Sequence, residues 1–336
     1  MAGGVGDSAD PPPPLRPTSL QVLCGLLVLA VVVRGWLGGL LDVAALRTGS
    51  TVFVAVCVQA MPFLVLGVLI SGAIAAFVPA RLLRRVLPRN QVAAVGVAGL
   101  AGVALPGCEC ASVPVARRLM QQGVPAPVAL AFLLAAPAVN PVVLVATAVA
   151  FPTAPRMVLA RLLGSLLTSL LMGWLWSRYG RTEWIAERAR TLPPEQHGRS
   201  RWMVFAETAR SDLADAGGFL VIGALAAATL NVLVPPSWFA AVGGSALVGV
   251  LVMAALAVVL ALCSEADAFV AASLSALPLL PRLVFLVVGP AVDVKLIALQ
   301  AGTFGKAFVA RFAPATFIVA VGSAVLVGLC VLGGYR

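Results

Sequence analysis

The chain has 336 residues, of which 61% are hydrophobic and only 11% are charged, and its mean hydropathy is +1.05. Soluble domains are usually about 45–50% apolar and about 25% charged, so this composition excludes an ordinary soluble domain. The net charge of +10 comes from basic residues scattered between apolar stretches. Neither a basic helix nor an aromatic base platform accompanies the charge, which argues against a nucleic-acid partner.

Residues 1–19 contain four consecutive prolines and lack the basic and apolar regions of a signal peptide, so they predict a short disordered tail. Apolar stretches follow at 20–46, 51–80, 91–107, 125–150, 157–177, 205–234, 237–262, 283–303 and 312–333. Stretches of about 20 apolar residues are long enough to cross a lipid bilayer. Since they lack strand alternation, we predict an all-α polytopic membrane protein with roughly 8–11 membrane segments. A multi-pass protein of the plasma (inner) membrane is the expected location.

Two shorter pieces, 108–122 and 263–277, interrupt the apolar stretches. Arginines cluster at 81–89 and at 178–201, and such clusters favour the cytoplasmic side of the membrane. Both clusters can lie on that side only if an even number of crossings separates them. Three apolar stretches lie between them, so a fourth crossing must return the chain. The piece 108–122 is too short for an ordinary span, and it predicts a broken helix or half-membrane segment. Its arginines are then predicted to be ordinary cytoplasmic anchors; they are Arg117 and Arg118.

Two motifs occur twice along the chain. Phe63-Leu-Val-Leu-Gly67 is similar to Phe219-Leu-Val-Ile-Gly223, and Pro137-Ala-Val-Asn140 is similar to Pro290-Ala-Val-Asp293. Cys110 precedes Asn140 by the same spacing that separates Cys263 from Asp293.

The repeats predict two related membrane halves, 20–177 and 205–336, joined by a cytoplasmic linker at 178–204. The charge pattern predicts that the halves run in opposite directions. Inverted repeats with interrupted helices are typical of secondary transporters, which bind substrate near the midplane where the breaks meet.

Three cysteines lie at the two predicted breaks. Cys108 and Cys110 follow the helix-breaking Pro106-Gly107, and Cys263 occupies the related position of the second half. Thiols at a helix start are activated toward the thiolate and bind soft ions. We therefore predict that these three thiols bind a small-molecule or soft-ion substrate. Asn140, between Pro137 and Pro141, is predicted to break the stretch 125–150, and its amide either serves the freed backbone groups or binds the same substrate. The remaining cysteines lie in uninterrupted apolar stretches and are predicted to be structural; they are Cys24, Cys57 and Cys330.

Ionisable side chains inside a membrane are costly, and they indicate function. Four acidic residues lie at the breaks or at the start of the segment that follows Val292, and they are Glu109, Glu265, Asp267 and Asp293. Lys295 is nearby and could neutralise one of them. One interpretation is proton or cation coupling; the other is an internal ion pair, which suits Asp293 with Lys295. Glu265 and Asp267 outnumber the basic partners recognisable in the sequence.

Together these motifs resemble the ArsP-type predicted permeases. Pro106-Gly-Cys-Glu-Cys110, Val113-Pro114 and Asn140-Pro141 resemble the first half of that family. Cys263-Ser-Glu-Ala-Asp267 and Asp293-Val-Lys-Leu296 resemble the second half. The resemblance implies a permease, and some members are implicated in the efflux of trivalent organoarsenicals. Carried onto this sequence, arsenic binding would involve Cys108 and Cys110, with Cys263 as a third ligand.

Three functions remain open from the sequence. The first is a secondary permease that exports a soft, thiol-reactive solute, and the second is a permease for a transition-metal cation or metal complex. The third is a membrane thiol oxidoreductase, against which the strain of a Cys-x-Cys disulfide argues. The sequence has no Gly-x-x-x-x-Gly-Lys-Ser/Thr motif, so we do not expect it to hydrolyse ATP. As a permease, the chain is expected to have neither an enzyme activity nor a cofactor.

Overall fold

The computed structural model describes residues 44–79, 88, 90–104, 108–191, 200–233, 246–275 and 277–333. The predicted tail, most of the first apolar stretch with Cys24, most of the arginine cluster at 81–89, and Pro106-Gly107 lie outside these residues. The described helices are α1 (Ala44–Phe77), α2 (Gln91–Ala101), α3 (Glu109–Gln121), α4 (Ala126–Ala135), α5 (Pro141–Ala150), α6 (Arg156–Tyr179), α7 (Glu187–Arg190), α8 (Arg201–Leu233), α9 (Ala246–Leu260), α10 (Asp267–Ser273), α11 (Leu279–Ala291), α12 (Val294–Phe304) and α13 (Lys306–Val331).

The described residues form helices joined by short non-helical segments and contain no strand, which confirms the all-α prediction. Five segments of it are long and apolar enough to cross a bilayer: Leu46–Phe77, Arg156–Tyr179, Arg201–Leu230, Leu279–Phe304 and Lys306–Val331. Large apolar side chains remain exposed along four of them, as lipid-facing surfaces require, whereas Leu279–Phe304 is mostly buried. The protein is therefore a multi-pass membrane protein.

Two of the apolar stretches are broken near their middle. Helix α4 ends at Ala135 and α5 begins at Pro141, with Asn140 as its N-cap, whose side chain accepts a hydrogen bond from Val142 N at 2.8 Å. The break predicted at Asn140 is therefore present. Each of these ten-residue helices is about 15 Å long, half the thickness of the hydrocarbon layer.

The stretch 283–303, for which no break was predicted, is also broken. Helix α11 ends just after Pro290, and Asp293 caps α12 by accepting a hydrogen bond from Leu296 N at 2.5 Å. A short polar side chain can replace the backbone partner that a helix start lacks, which makes a break at this depth tolerable. The two halves thus break at related residues, Asn140 and Asp293.

The helices of the two halves also pair in space. Helix α1 packs against α8, and α6 packs against α13. The short helices cross between the halves, since α3 packs against α12 and α10 packs against α5. Each short, polar segment therefore contacts the helix that follows the break in the other half. The inverted orientation of the halves stays a prediction.

The described part of the linker packs onto the ends of α3 and α12. Its helix α7 contacts both of them, and Ile185 and Ala189 are buried. Ala186 N donates a hydrogen bond to Phe304 O at 2.8 Å, where α12 ends. The Arg311 guanidinium lies 4.7 Å from the centre of the Trp184 ring, a cation–π contact that holds the segment to α13.

Candidate functional site

Two thiols and a carboxylate converge where the halves meet. One ligand atom each from Cys108, Glu109 and Cys263 lies within 4.8 Å of the other two, and all three side chains are buried. Cys108 is the N-cap residue of α3 and has an extended backbone, whereas Glu109 lies in the first turn. Cys263 lies in the non-helical segment before α10. This cluster, called the trio, therefore combines residues of the two polar segments, 108–122 and 263–277.

The third predicted thiol lies beside the trio. Cys110 is fully buried, and the Cys108 thiol is within hydrogen-bonding reach of both the Cys110 and the Cys263 thiols. Cys110 is nevertheless outside the group whose ligand atoms are mutually close. Of the cysteines predicted to be structural, Cys57 is half-buried and Cys330 is exposed.

Lys295 connects the trio to the second break. Its Nζ forms an ion pair with Glu109 Oε1 and lies 3.7 Å from Asp293 Oδ2, and its side chain is completely buried. The sequence paired Lys295 with Asp293, but the closer partner is Glu109 of the other half. Because α12 starts at Val294, Lys295 is held in its first turn, next to the trio.

Asp267 has a basic partner that the sequence reasoning did not identify. Arg161, in α6, is completely buried, and its Nη2 donates a hydrogen bond to Asp267 Oδ2 at 2.8 Å. Of the two carboxylates expected to outnumber their basic partners, Asp267 therefore has one. An arginine inside the apolar stretch 157–177 was the available signal, because a charge at that depth requires a partner.

Several buried polar atoms of the site have no hydrogen-bond partner within the described residues. They include Glu109 Oε2, both oxygens of Glu265, Ser264 Oγ and Asp267 Oδ1. Unsatisfied buried polar atoms are rare in folded proteins, and a cluster of them indicates functional use. Around the trio, four carboxylates face the basic groups of Lys295 and Arg161.

Two glycines let long helices approach the site closely. A Cβ on Gly67 would lie 2.5 Å from Ala111 Cα, in the first turn of α3. A Cβ on Gly223 would lie 2.8 Å from Lys295 Cα, in the first turn of α12. These are the glycines of the repeated Phe-Leu-Val-x-Gly motif, so the motif packs α1 and α8 against the two helix starts that carry the site.

The far end of α3 is tied to α8. Arg117 Nη1 lies 3.7 Å from Asp212 Oδ1, and Arg118 Nη2 lies 3.7 Å from Asp212 Oδ2. Ser71 Oγ of α1 donates a hydrogen bond to Asp212 Oδ2 at 2.5 Å. Arg118 is itself buried. Its side chain therefore joins α3 to α8 inside the protein, and its place on the cytoplasmic side stays a prediction.

Comparison with known proteins identifies the relatives of this chain. A family model described as a predicted permease, ArsP_1, matches residues 45–331. The chain is 36% identical over 282 residues to the UPF0718 protein YcgR of Bacillus subtilis, an alignment that covers 81% of this chain and 93% of that protein. It is 31% identical over 283 residues to a Streptococcus mutans protein whose name assigns it to a two-component membrane permease complex as a subunit. That alignment covers 83% of this chain and 94% of the relative. No solved structure matches the chain at a significant level.

Proposed function

The chain belongs to the ArsP-type family of predicted permeases, and we propose that it is a secondary permease that exports a soft, thiol-reactive solute such as a trivalent organoarsenical. The observation that carries this proposal is the convergence of Cys108 and Cys263, from different halves, in the buried trio with Glu109. Secondary transporters bind their substrates at such an interface between broken helices.

The chemistry of two thiols suits an arsenical with two exchangeable hydroxyl groups. The sulfurs of Cys108 and Cys263 form two As–S bonds while two As–O bonds break. Each thiol gives up one proton, and two waters leave, so no oxidant or reductant is needed. Release of the solute reverses these steps, and the arsenical leaves chemically unchanged. This reversible exchange fits a permease rather than an enzyme.

Uptake into everted membrane vesicles tests this function, with phenylarsine oxide as the solute, in the presence and absence of a proton gradient. We expect Cys108→Ser and Cys263→Ser each to weaken solute binding by about 100-fold or more, because a chelating pair loses its second attachment. Cys330→Ser is the matched control, since Cys330 is exposed at the end of α13. Wild-type uptake by both site variants, at equal protein levels, would exclude the thiol mechanism.

A second candidate solute is a transition-metal cation. Two sulfurs and a carboxylate oxygen form a mixed ligand set that suits divalent zinc and its neighbours. The same vesicles separate the two solutes when Glu109→Gln is compared with wild type. Zinc uptake that is lost in this variant would favour the metal, whereas uptake of the arsenical alone would exclude it.

A further inference from the structure

Arg161, in the second turn of α6, forms hydrogen bonds with a segment of each half. Its Nη1 donates a hydrogen bond to Thr147 Oγ1 at 2.8 Å, in α5, the helix that follows the break at Asn140. Its Nη2 donates to Ser264 O at 2.9 Å and to Asp267 Oδ2 at 2.8 Å. One side chain of the first half therefore holds the polar segment of the second half at two points.

Both points lie in the turn that begins at Cys263. The backbone oxygen of Cys263 accepts hydrogen bonds from Ala266 N at 2.9 Å and Asp267 N at 3.0 Å, which closes the turn. Just before it, Ala261 has a φ of 48°, in the left-handed region that a residue with a side chain rarely adopts. Surrounding contacts must hold a strained segment of this kind in place. Arg161 supplies them immediately after Cys263.

Lys295 makes the corresponding contact at the start of α3, beside Cys108. It comes from the second half and pairs with Glu109, the neighbour of Cys108 in the first half. Each thiol of the trio is thus held beside a turn or helix start that a basic residue of the opposite half anchors. A fixed separation between the thiols depends on both anchors.

We propose that Arg161 is a positioning residue that holds the Cys263 thiol within chelating distance of the Cys108 thiol. This inference deepens the proposed function and rests on it for its biological meaning. Arg161 itself contacts no solute; it acts through the turn that carries Cys263.

Cross-linking of the two thiols measures their separation without any solute. In a chain with Cys24, Cys57, Cys110 and Cys330 replaced by serine, only Cys108 and Cys263 remain. A protease site inserted in the linker at 192–199 separates the halves after cleavage. Copper–phenanthroline in air removes two electrons and two protons from the thiol pair, and the resulting disulfide keeps the halves together on a non-reducing gel.

We expect rapid cross-linking in this background and in Arg156→Met, the control that removes an exposed arginine from the first position of the same helix. Arg161→Met combined with Asp267→Asn removes both members of the ion pair together, so the protein should still accumulate in the membrane. Its cross-linking should be slower by about 10-fold or more, because small misplacements of reacting groups cost large factors in rate. Arg161→Lys should be intermediate, since an ammonium keeps the charge but lacks the planar fork.

Transport supplies the second readout. In vesicles, the double variant should raise the half-saturating concentration of phenylarsine oxide more than it lowers the maximal rate. Rapid cross-linking in the double variant, or none in the starting background, would overturn the positioning role. If the wild-type chain transports no arsenical, the proposed function fails, but the cross-linking result still decides whether Arg161 sets the thiol geometry.

Discussion

Replacing Lys295 with methionine is expected to unfold the protein or to remove it from the membrane. Lys295 is completely buried and forms the ion pair with Glu109, with Asp293 Oδ2 at 3.7 Å. Methionine fills much of the same volume but leaves these carboxylates buried without their cation. Removing one partner of a buried ion pair costs about 3–5 kcal/mol. This is a large part of the roughly 5–15 kcal/mol that stabilises a typical domain.

The apparent melting temperature of the detergent-solubilised protein, followed by gel filtration after heating, measures this loss. Lys306→Met is the matched control, because Lys306 is an exposed lysine at the first position of α13. The triple variant Lys295→Met, Glu109→Gln, Asp293→Asn removes all three charges, and it should regain much of the stability. It should still transport poorly, because the trio has lost its carboxylate. A single variant as stable as Lys306→Met would show that the ion pair contributes little.

The break at Asn140 was predictable because the residues that cause it are local. Asn140 stands between prolines, and a helix cannot continue through that arrangement without losing backbone hydrogen bonds. The related break at Asp293 was missed because Val292 and Val294 on either side keep the stretch apolar. Its Pro290 and its match to the Asn140 motif were the available signals.

The convergence of Cys108 and Cys263 followed from the repeat, but the place of Cys110 did not. The decisive fact is the first residue of α3. With Glu109 as the first helical residue, Cys108 stays outside the helix as its cap. Cys110 lies inside the first turn, and its thiol is within hydrogen-bonding reach of the Cys108 thiol but outside the group whose ligand atoms are mutually close. Sequence reasoning places a helix start only within a few residues, and that margin was larger than the difference between the two thiols.

The partner of Asp267 could not be derived from local sequence at all. Arg161 and Asp267 are far apart in the chain, and they meet because α5, which follows the first break, packs against α10 of the second half. An intramembrane arginine predicts that a partner exists. Only the packing of the halves identifies which carboxylate it is.

Adding a single methyl group at Gly67 is expected to destabilise the protein and to disturb the trio. In Gly67→Ala the new Cβ would lie 2.5 Å from Ala111 Cα and 2.7 Å from Ala111 O. These are backbone atoms that cannot move aside by changing a rotamer. Helix α3 must shift, and it carries Cys108 and Glu109 at its start. Forced overpacking of this kind costs about 1–3 kcal/mol.

Gly223 makes the same prediction in the other half. The Cβ in Gly223→Ala would lie 2.8 Å from Lys295 Cα, so α12 must move and carry the Lys295 ammonium away from Glu109. The control is Gly322→Ala in α13, where a Cβ meets no atom within 4 Å. Since alanine favours a helix over glycine by about 0.5–1 kcal/mol, this control should gain stability.

The two site variants are expected to lose stability, whereas the control is expected to gain it, so the sign of the change in stability tests the prediction. The apparent melting temperature should fall in Gly67→Ala and Gly223→Ala and rise slightly in Gly322→Ala. Cross-linking between Cys108 and Cys263 should slow in Gly67→Ala, because α3 carries one of the thiols, and should be unaffected in Gly322→Ala. If both site variants instead gained stability like the control, the close approach of α1 and α8 to the site would be wrong. The repeated Phe-Leu-Val-x-Gly motif would then need another explanation, because helix propensity alone disfavours its glycine.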